Sequence, residues 1–154
     1  MKQKIKLVIL GASDTFFSLK KIRKRKSSFF EIVETEHKVN LPEPDHDTKN
    51  ADQEYLDNQL IDIIGIDEDI LKIGIIYCKL QDDFYLRRIS HKIAVLSIYK
   101  PLDELTEANI SVENFIIKNI SVLITIILGI IINIISNIIF SGVMTDERIF
   151  WIRK

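Results

Sequence analysis

The stretch SVLITIILGIIINIISNIIFSGVM, from Ser121 to Met144, decides how the rest of the chain is interpreted, because it contains no charged side chain. About twenty consecutive apolar residues are enough to cross a bilayer as a helix. The uncharged region runs from Asn119 to Thr145, and Trp151 follows it among the basic residues Arg148, Arg153 and Lys154. Aromatic and basic residues of this kind are common at membrane interfaces, so a membrane span over Asn119–Met144 is possible.

The same stretch also has the pattern of a helix that packs inside a domain. At about 100° per residue, its small and polar residues collect on one arc and its isoleucines on the opposite arc. The polar arc contains Lys118, Ser121, Thr125, Gly129, Asn133 and Ser136. The amides of Asn119, Asn133 and Asn137 are costly in hydrocarbon unless they find partners. The sequence therefore predicts one long apolar helix over residues 111–140, and it favours a buried helix over a membrane span.

Two further apolar runs indicate what this helix would cover. ILKIGIIYCKL, from Ile70 to Leu80, and HKIAVLSIY, from His91 to Tyr99, are short and rich in β-branched residues. Runs of this length and composition are typical of buried strands. A sheet made from them would have apolar faces, and the helix that begins near Ser111 is the most apolar element available to cover it. The polar connection QDDFYLRRIS and the segment KPLDELTEAN are interpreted as loops.

The N-terminal half predicts two strands and two helices. KIKLVIL, from Lys4 to Leu10, predicts a strand that ends at Gly11, and a helix capped by Ser13 or Asp14 is expected to follow it. FFEIVETEHKV alternates apolar and charged residues and predicts a second strand. Residues 39–52 form a polar segment with two prolines and are expected to be a flexible loop. In NADQEYLDNQLIDIIG the apolar residues from Tyr55 onward have helical spacing, and Gly65 suits the end of that helix.

The predicted element order is βαβαββα, which indicates an α/β (α+β) fold with a small mixed sheet packed against helices. A chain of 154 residues suits one domain over residues 1–154. Its net charge of −1 gives no overall attraction to nucleic acid. The single cysteine, Cys78, excludes an internal disulfide and a cysteine-based zinc cluster, which favours the cytoplasm; attachment to a membrane with a cytosolic N-terminal part is the alternative.

From Ala51 to Met144 the chain resembles the archaemetzincin-like zincins in its pattern. The two buried strands, the connection between them and the helix ENFIIKNISVLITIILGI follow the order of that family's core. The resemblance implies a zincin-like fold whose long helix would carry the zinc motif HExxHxxGxxH. In that motif two histidines one turn apart bind zinc, and the glutamate between them acts as the base.

The residues that the zincin motif requires are missing from this chain. With Gly129 placed at the motif glycine, Val122, Ile126 and Ile132 stand at the three ligand positions and Leu123 at the base. Val143-Met144 lies where a Met-turn could be, and the family's C-terminal cysteines are absent. If the relationship holds, the zinc site is replaced by hydrocarbon, and peptidase activity is not expected. No catalytic, cofactor-binding or metal-binding residue is therefore assigned, and no cofactor is expected.

Several other residues have suitable chemistry for a site but a simpler interpretation. Asp45, His46 and Asp47 are neighbours in a polar loop and cannot all face one ion; His37 and Asp52 lie nearby in the sequence. His91 stands beside Arg87, Arg88 and Lys92, without a nucleophile next to it. The stretch LVILGASD resembles the strand and turn of a nucleotide-binding site only in Gly11, because it lacks the GxGxxG pattern.

The basic run from Lys20 to Lys26 could contact phosphate, and Phe29 and Phe30 close by could stack on bases. The sequence contains no recognised nucleic-acid-binding motif, and a charge run usually does no more than keep a helix end in solvent. Nucleic acid is thus an unlikely partner. The sequence predicts a non-catalytic zincin-like module that binds or assists an unknown protein partner; the alternative is a small tail-anchored protein with one membrane span.

Overall fold

The computed structural model describes residues 2–42, 46–47, 53–80 and 84–127. Eight strands, four α-helices and one 3-10 helix lie within these residues. The strands are β1 (Gln3–Leu10), β2 (Phe30–Lys38), β3 (His46–Asp47), β4 (Gln53–Tyr55), β5 (Leu71–Ile76), β6 (Lys79–Leu80), β7 (Leu86–Arg88) and β8 (Ile93–Ser97). The α-helices are α1 (Leu19–Lys24), α2 (Asp57–Ile64), α3 (Pro101–Glu107) and α4 (Val112–Ile127), and a 3-10 helix spans Ser13–Phe16.

The main sheet has five strands in the order β2-β1-β5-β8-β7. The first four strands are parallel to one another, and the edge strand β7 is antiparallel to β8. A second, small sheet has the order β3-β4-β6. The predicted α/β class, with a small mixed sheet packed against helices, is confirmed.

One face of the main sheet is covered by α1 and α4. Inward-facing residues of the central strands, among them Ile5, Ile73 and Leu96, form a single apolar cluster with Ile22 of α1 and residues of α4. The α4 residues in this cluster are Ile116, Ile120, Leu123 and Ile124, each at most 1% exposed. The prediction that the apolar helix covers the two buried strands is therefore confirmed for the part that ends at Ile127.

The opposite face is covered by α2 and by the small sheet. Leu60 and Ile64 of α2 pack with Val8, Ile93 and Val95 of the strands. Gly74 of β5 makes this close approach possible: a Cβ at that position would lie 2.8 Å from Cδ1 of Ile64. Helices thus lie on both faces of the sheet, which is the three-layer arrangement of parallel α/β folds.

The helix ends follow the sequence signals in two of three cases. Gly65 ends α2 with a positive φ of 71°, and its N–H donates to the carbonyl of Ile61. Ser111 caps α4, since its Oγ accepts a hydrogen bond of 3.1 Å from the N–H of Asn114. For α1 the prediction was wrong: Ser18 caps this helix, and Ser13 and Asp14 belong to the preceding 3-10 helix.

Other boundaries also differ from the prediction. KPLDELTEAN is not a loop, because residues 101–107 form α3 with Pro101 at its first position. Part of the predicted connection QDDFYLRRIS forms β7. Residues 53–55 form strand β4 instead of the first turn of α2. Within the predicted flexible loop of residues 39–52, residues 46–47 pair with β4 as strand β3, and residues 43–45 and 48–52 lie outside the described residues.

The predicted long helix over residues 111–140 is present from Val112 to Ile127. Residues 128–140, and with them most of the uncharged stretch Asn119–Met144, lie outside the described residues. Among the helices that the structure describes, none combines the length and the apolar character needed to cross a membrane.

Candidate binding site at the carboxyl edge of the sheet

The strand order creates a crevice between the carboxyl ends of β1 and β5. After β1 the chain turns toward the face covered by α1, because Phe17 and Ile22 belong to that cluster. After β5 the chain turns to the other face, where Cys78 and Leu80 join the cluster around α2. Neighbouring parallel strands whose connections leave on opposite faces form a topological switch point, the usual position of ligand sites in open α/β sheets.

Three aromatic rings meet at the switch point. Phe16 follows β1, Tyr77 follows β5 and Tyr99 follows β8. The ring centroids of Phe16 and Tyr77 are 4.2 Å apart with an interplanar angle of 30°, and Tyr77 meets Tyr99 edge to face at 5.3 Å. Phe16 is 37% exposed and Tyr77 is 40% exposed. We call these three residues the aromatic row; it offers flat apolar surface to solvent where the fold favours binding.

The loop that carries Phe16 is fixed to the neighbouring strand. The buried hydroxyl of Ser13 donates a hydrogen bond of 3.0 Å to the carbonyl of Ile75 in β5. Gly11 begins this loop with a φ of 62°, a conformation that favours glycine. The turn after β1 is thus tied to β5, and Phe16 is held against Tyr77 before any partner arrives.

A small pocket with a cavity volume of about 10 Å³, room for a single water molecule, adjoins the aromatic row. Its lining combines two lysines with three aromatic residues, namely Lys79, Leu80, Phe84, Tyr85, Ser97, Tyr99 and Lys100. Tyr99 belongs to both the pocket and the aromatic row. Burial raises the pKa of the Tyr85 phenol, so this hydroxyl is a neutral hydrogen-bonding group at pH 7. The pocket is therefore too small to enclose a ligand, and Tyr99 joins its lining to the aromatic row.

Asp14, in the 3-10 helix after β1, lies near His37, close to the end of β2. Nδ1 of His37 lies 3.7 Å from Oδ2 of Asp14, and both side chains are about two-fifths exposed. The separation is longer than a hydrogen bond, and solvent screens a pair of this exposure. The pair adds polar groups to the carboxyl edge without forming a recognisable catalytic arrangement.

The residues considered as metal ligands in the sequence are dispersed. His46 and Asp47 lie in β3, and His37 is the penultimate residue of β2. Asp45 and Asp52 lie outside the described residues. His91 precedes β8 at the opposite edge of the sheet, where its Nε2 lies 3.1 Å from Oε2 of the exposed Glu68. In the part of the chain that the structure describes, no three His, Cys, Asp or Glu side chains come together as a metal-binding group.

The basic run is placed on and after α1, and its lysine and arginine side chains are exposed. Lys21 lies 3.8 Å from the carboxylate of Glu113, and Arg25 donates to the side chain of Asn114 at 2.7 Å. Phe29 is 40% exposed, whereas Phe30 is buried at the start of β2. The two phenylalanines therefore do not form a shared stacking surface beside the basic run.

The positions aligned with the zincin motif lie on α4, as far as they are described. Leu123, at the position of the base, is 1% exposed and part of the apolar cluster with the sheet. Val122 and Ile126 are half-buried, and Gly129, Ile132 and Val143-Met144 lie outside the described residues. The zincin relationship itself stays a prediction.

The aromatic row was not identified from the sequence. Phe16, Tyr77 and Tyr99 are far apart along the chain, and each follows a strand by no more than six residues. Only the parallel order of β1, β5 and β8 brings their ends to one edge. Tyr77 and Tyr99 lie inside the two apolar runs predicted as strands, so a search for aromatic residues near the carboxyl ends of those runs would have found both.

No protein-family model, curated protein or solved structure matches this chain.

Proposed function

We propose that this chain is a non-catalytic binding or accessory module, and that its binding site is the carboxyl edge of the main sheet. The observation that carries the proposal is the aromatic row, in which two rings from the two sides of the switch point stack on each other and stay more than one-third exposed. Exposed aromatic residues are enriched at recognition sites, because they bury a large area and lose little conformational entropy.

The apolar side chains at the positions aligned with the zincin motif support a module that does not use a metal. Valine, leucine and isoleucine can neither bind zinc nor act as a base, and here Leu123 packs in the core of the domain. Under this proposal the long helix serves as a structural element, and recognition takes place elsewhere. A protein partner and a cytoplasmic location remain part of the proposal, the latter on the strength of the single cysteine.

Photo-crosslinking in cells tests the location of the site. The photoreactive amino acid p-benzoylphenylalanine replaces Phe16 in one variant and Phe29 in a matched control, since both rings are exposed to a similar degree but lie at opposite edges of the sheet. The proposal predicts a crosslinked adduct, seen as a mass increase of the purified chain, at position 16 and not at position 29. Equal adduct yields at the two positions, or none at position 16, would contradict it.

A second candidate function is a small tail-anchored membrane protein, and the observation that favours it is the uncharged sequence Asn119–Met144. In this candidate, Thr125, Gly129, Asn133 and Ser136 would form a contact stripe with another helix in the bilayer. Sedimentation of a lysate at high speed without detergent separates the two functions. Recovery of folded protein in the supernatant supports the first, and recovery only in the membrane fraction supports the second.

A further inference from the structure

We propose that the outer edge of β2 is a dimer interface, at which a second copy of this chain pairs its own β2 in the antiparallel direction. β2 is the edge strand of the main sheet, and among the described residues no strand pairs with its outer side. With nine residues it is much longer than β7, the strand at the other edge, which has three. A long open edge presents backbone N–H and C=O groups to another strand.

A β-bulge decides which part of β2 can pair. Ile32 pairs with Ile5 of β1, but the next residue of β1 pairs with Glu34. Val33 is therefore an extra residue in β2. A bulge interrupts regular pairing and bends the strand, so the segment suited to a second strand is the regular one after it, residues 34–38.

The backbone of residues 34–38 alternates between the side of β1 and the outer side. The N–H of Gly11 donates a hydrogen bond of 2.9 Å to the carbonyl of Lys38, so the backbone of Lys38 faces β1. Because successive residues of a strand direct their N–H and C=O groups to alternate sides, Glu36 also faces β1, whereas Thr35 and His37 face outward. These two residues are the ones that can exchange hydrogen bonds with a second strand.

The charges on β2 select the register of the pairing. A two-fold axis at Glu36 places Thr35 opposite His37 of the second copy and Glu34 opposite Lys38 of the second copy. The first pair exchanges backbone hydrogen bonds, and the second brings unlike charges together on one face of the sheet. The symmetry repeats each pair, so the dimer contains two cross-strand contacts between Glu34 and Lys38.

Other registers of the two copies are less favourable. An axis at Thr35 would place Glu34 opposite Glu36, two like charges. An axis at His37 would shorten the paired segment and place Glu34 opposite Asn40. With the axis at Glu36 the two Glu36 side chains face each other, but each is already bound within its own chain by Lys38 at 2.6 Å and by Lys6 at 3.0 Å.

The same register brings together two exposed apolar side chains at the ends of the paired segment. Val33 is 45% exposed and Val39 is 70% exposed, and Val33 of one copy comes next to Val39 of the other. The aromatic row is left open, because it follows β1, β5 and β8 and lies away from β2. The dimer and the binding site at the carboxyl edge can therefore be tested separately.

Sedimentation equilibrium of the full chain tests whether the dimer exists. We expect the apparent mass to rise with concentration from 17.9 kDa toward twice that value. Half-dissociation on the order of 10–100 μM is expected, since a strand pair of this length belongs to the small, weak class of interfaces. A mass that stays at the monomer value up to about 1 mM would overturn the inference.

Charge reversal tests the register, in about 0.15 M salt, where charges more than about 8 Å apart are largely screened. Glu34→Lys and Lys38→Glu each bring like charges together twice, so each should weaken self-association by about tenfold or more. An equimolar mixture of the two variants restores both unlike pairs and should associate about as strongly as wild type. Self-association of the single variants like that of wild type, or a mixture that stays monomeric although circular dichroism shows both chains folded, contradicts the register.

The matched controls are Glu31→Lys and Lys20→Glu, which reverse exposed charges outside residues 34–38. Each should change self-association by less than about twofold, because neither side chain lies opposite a charge of the second copy. A loss in the controls equal to that in Glu34→Lys and Lys38→Glu would show that net charge, and not the proposed pair, governs association, and would overturn the inference.

Hydrogen exchange of the wild-type chain tests the same edge without any substitution, and it holds even if a variant fails to fold. The amides of Thr35 and His37 should exchange about tenfold more slowly at concentrations where the dimer predominates than where the monomer does. The amide of Gly11, which is bonded within the chain, is the control and should change little. If the protein dimerises while the amides of Thr35 and His37 exchange at an unchanged rate, the dimer uses another surface and the inference is wrong.

Discussion

The carboxylate of Glu113, in the first turn of α4, accepts a hydrogen bond of 2.9 Å from the backbone N–H of Ser18, the residue that caps α1. This contact joins the starts of the two helices that cover one face of the sheet. Burial alone would raise the pKa of Glu113, but the N–H groups of Ser18 and Glu113, together with the nearby Lys21, outweigh it and hold this pKa below its usual value. The buried carboxylate is thus charged at neutral pH and compensated.

Glu113→Ala should lower the free energy of unfolding by about 1–2 kcal/mol, because it leaves the N–H of Ser18 without its acceptor. Urea denaturation followed by circular dichroism measures the change. Glu107→Ala, at an exposed position in α3, is the control and should change the stability by less than about 0.5 kcal/mol. Equal stabilities of the two variants would show that the contact between α1 and α4 contributes nothing.

A ladder of charges on the edge strand β2 predicts a dependence of stability on pH. Lys38 and Lys6 donate to Glu36 at 2.6 Å and 3.0 Å, and these hydrogen bonds lower the pKa of Glu36 from 4.5 to about 2. A lowered carboxylate pKa contributes stability that is complete above pH 4.5 and is lost as the pH falls toward 2. Because the side chain is 28% exposed, solvent screening limits the contribution to the order of 1 kcal/mol.

Glu36→Gln should therefore be less stable than wild type at pH 7 and equally stable near pH 2, as measured by urea denaturation at both values. Glu31→Gln, at an exposed position of the same strand, is the matched control and should differ little from wild type at pH 7. A wild-type advantage that persists unchanged at pH 2 would contradict the assignment.

The burial along α4 predicts which residues in the apolar helix tolerate a charge. Ile124 is completely buried against the sheet, whereas Ile126 is half-buried. Ile124→Asp should unfold the protein, since it buries an unpaired charge, and Ile126→Asp should cost less. Thermal denaturation of both variants makes the comparison. If Ile124→Asp is as stable as wild type, or if Ile126→Asp is the more damaging change, α4 does not pack on the sheet through this face.

The sequence pattern predicted the central strands and the covering helix better than the peripheral elements. Apart from Lys72 and Ser97, β5 and β8 contain only apolar residues and glycine because both of their faces are covered, and such runs are recognisable without a structure. α3 was missed although Pro101 and the acidic residues Asp103 and Glu104 are typical of a helix start. β7 was missed because it has only three residues and two of them are arginines, a composition common in edge strands.

The candidate site could not be predicted from the sequence, for a reason different from the one that applies to α3 and β7. The stretch LVILGASD does contain the turn that follows β1, but its importance comes from β5, whose residues pair with residues of β1 that lie 66 positions earlier in the chain. Strand order depends on which faces the helices cover, and on the second face Ile64 of α2 lies close to Gly74 and packs in one cluster with Val95. Local patterns do not encode that choice.

The expectation that the protein binds no zinc can be tested directly. Elemental analysis of protein purified from a zinc-supplemented culture should give zinc far below one atom per chain, because Val122, Leu123 and Ile126 hold the positions that ligands and base occupy in a zincin. One zinc atom per chain, retained after dialysis, would contradict the non-catalytic assignment and return a metal-dependent hydrolase to consideration.

The central claim is that β1, β5 and β8 bring Phe16, Tyr77 and Tyr99 together at one edge of the sheet. Nuclear Overhauser spectroscopy with ¹³C-labelled aromatic side chains measures this most directly. With ring centroids 4.2 Å and 5.3 Å apart, we expect cross-peaks between the rings of Phe16 and Tyr77 and between those of Tyr77 and Tyr99, and none from Phe29 to any of the three. If Phe16 shows no cross-peak to Tyr77, the two sides of the switch point do not meet, and the binding site proposed here does not exist.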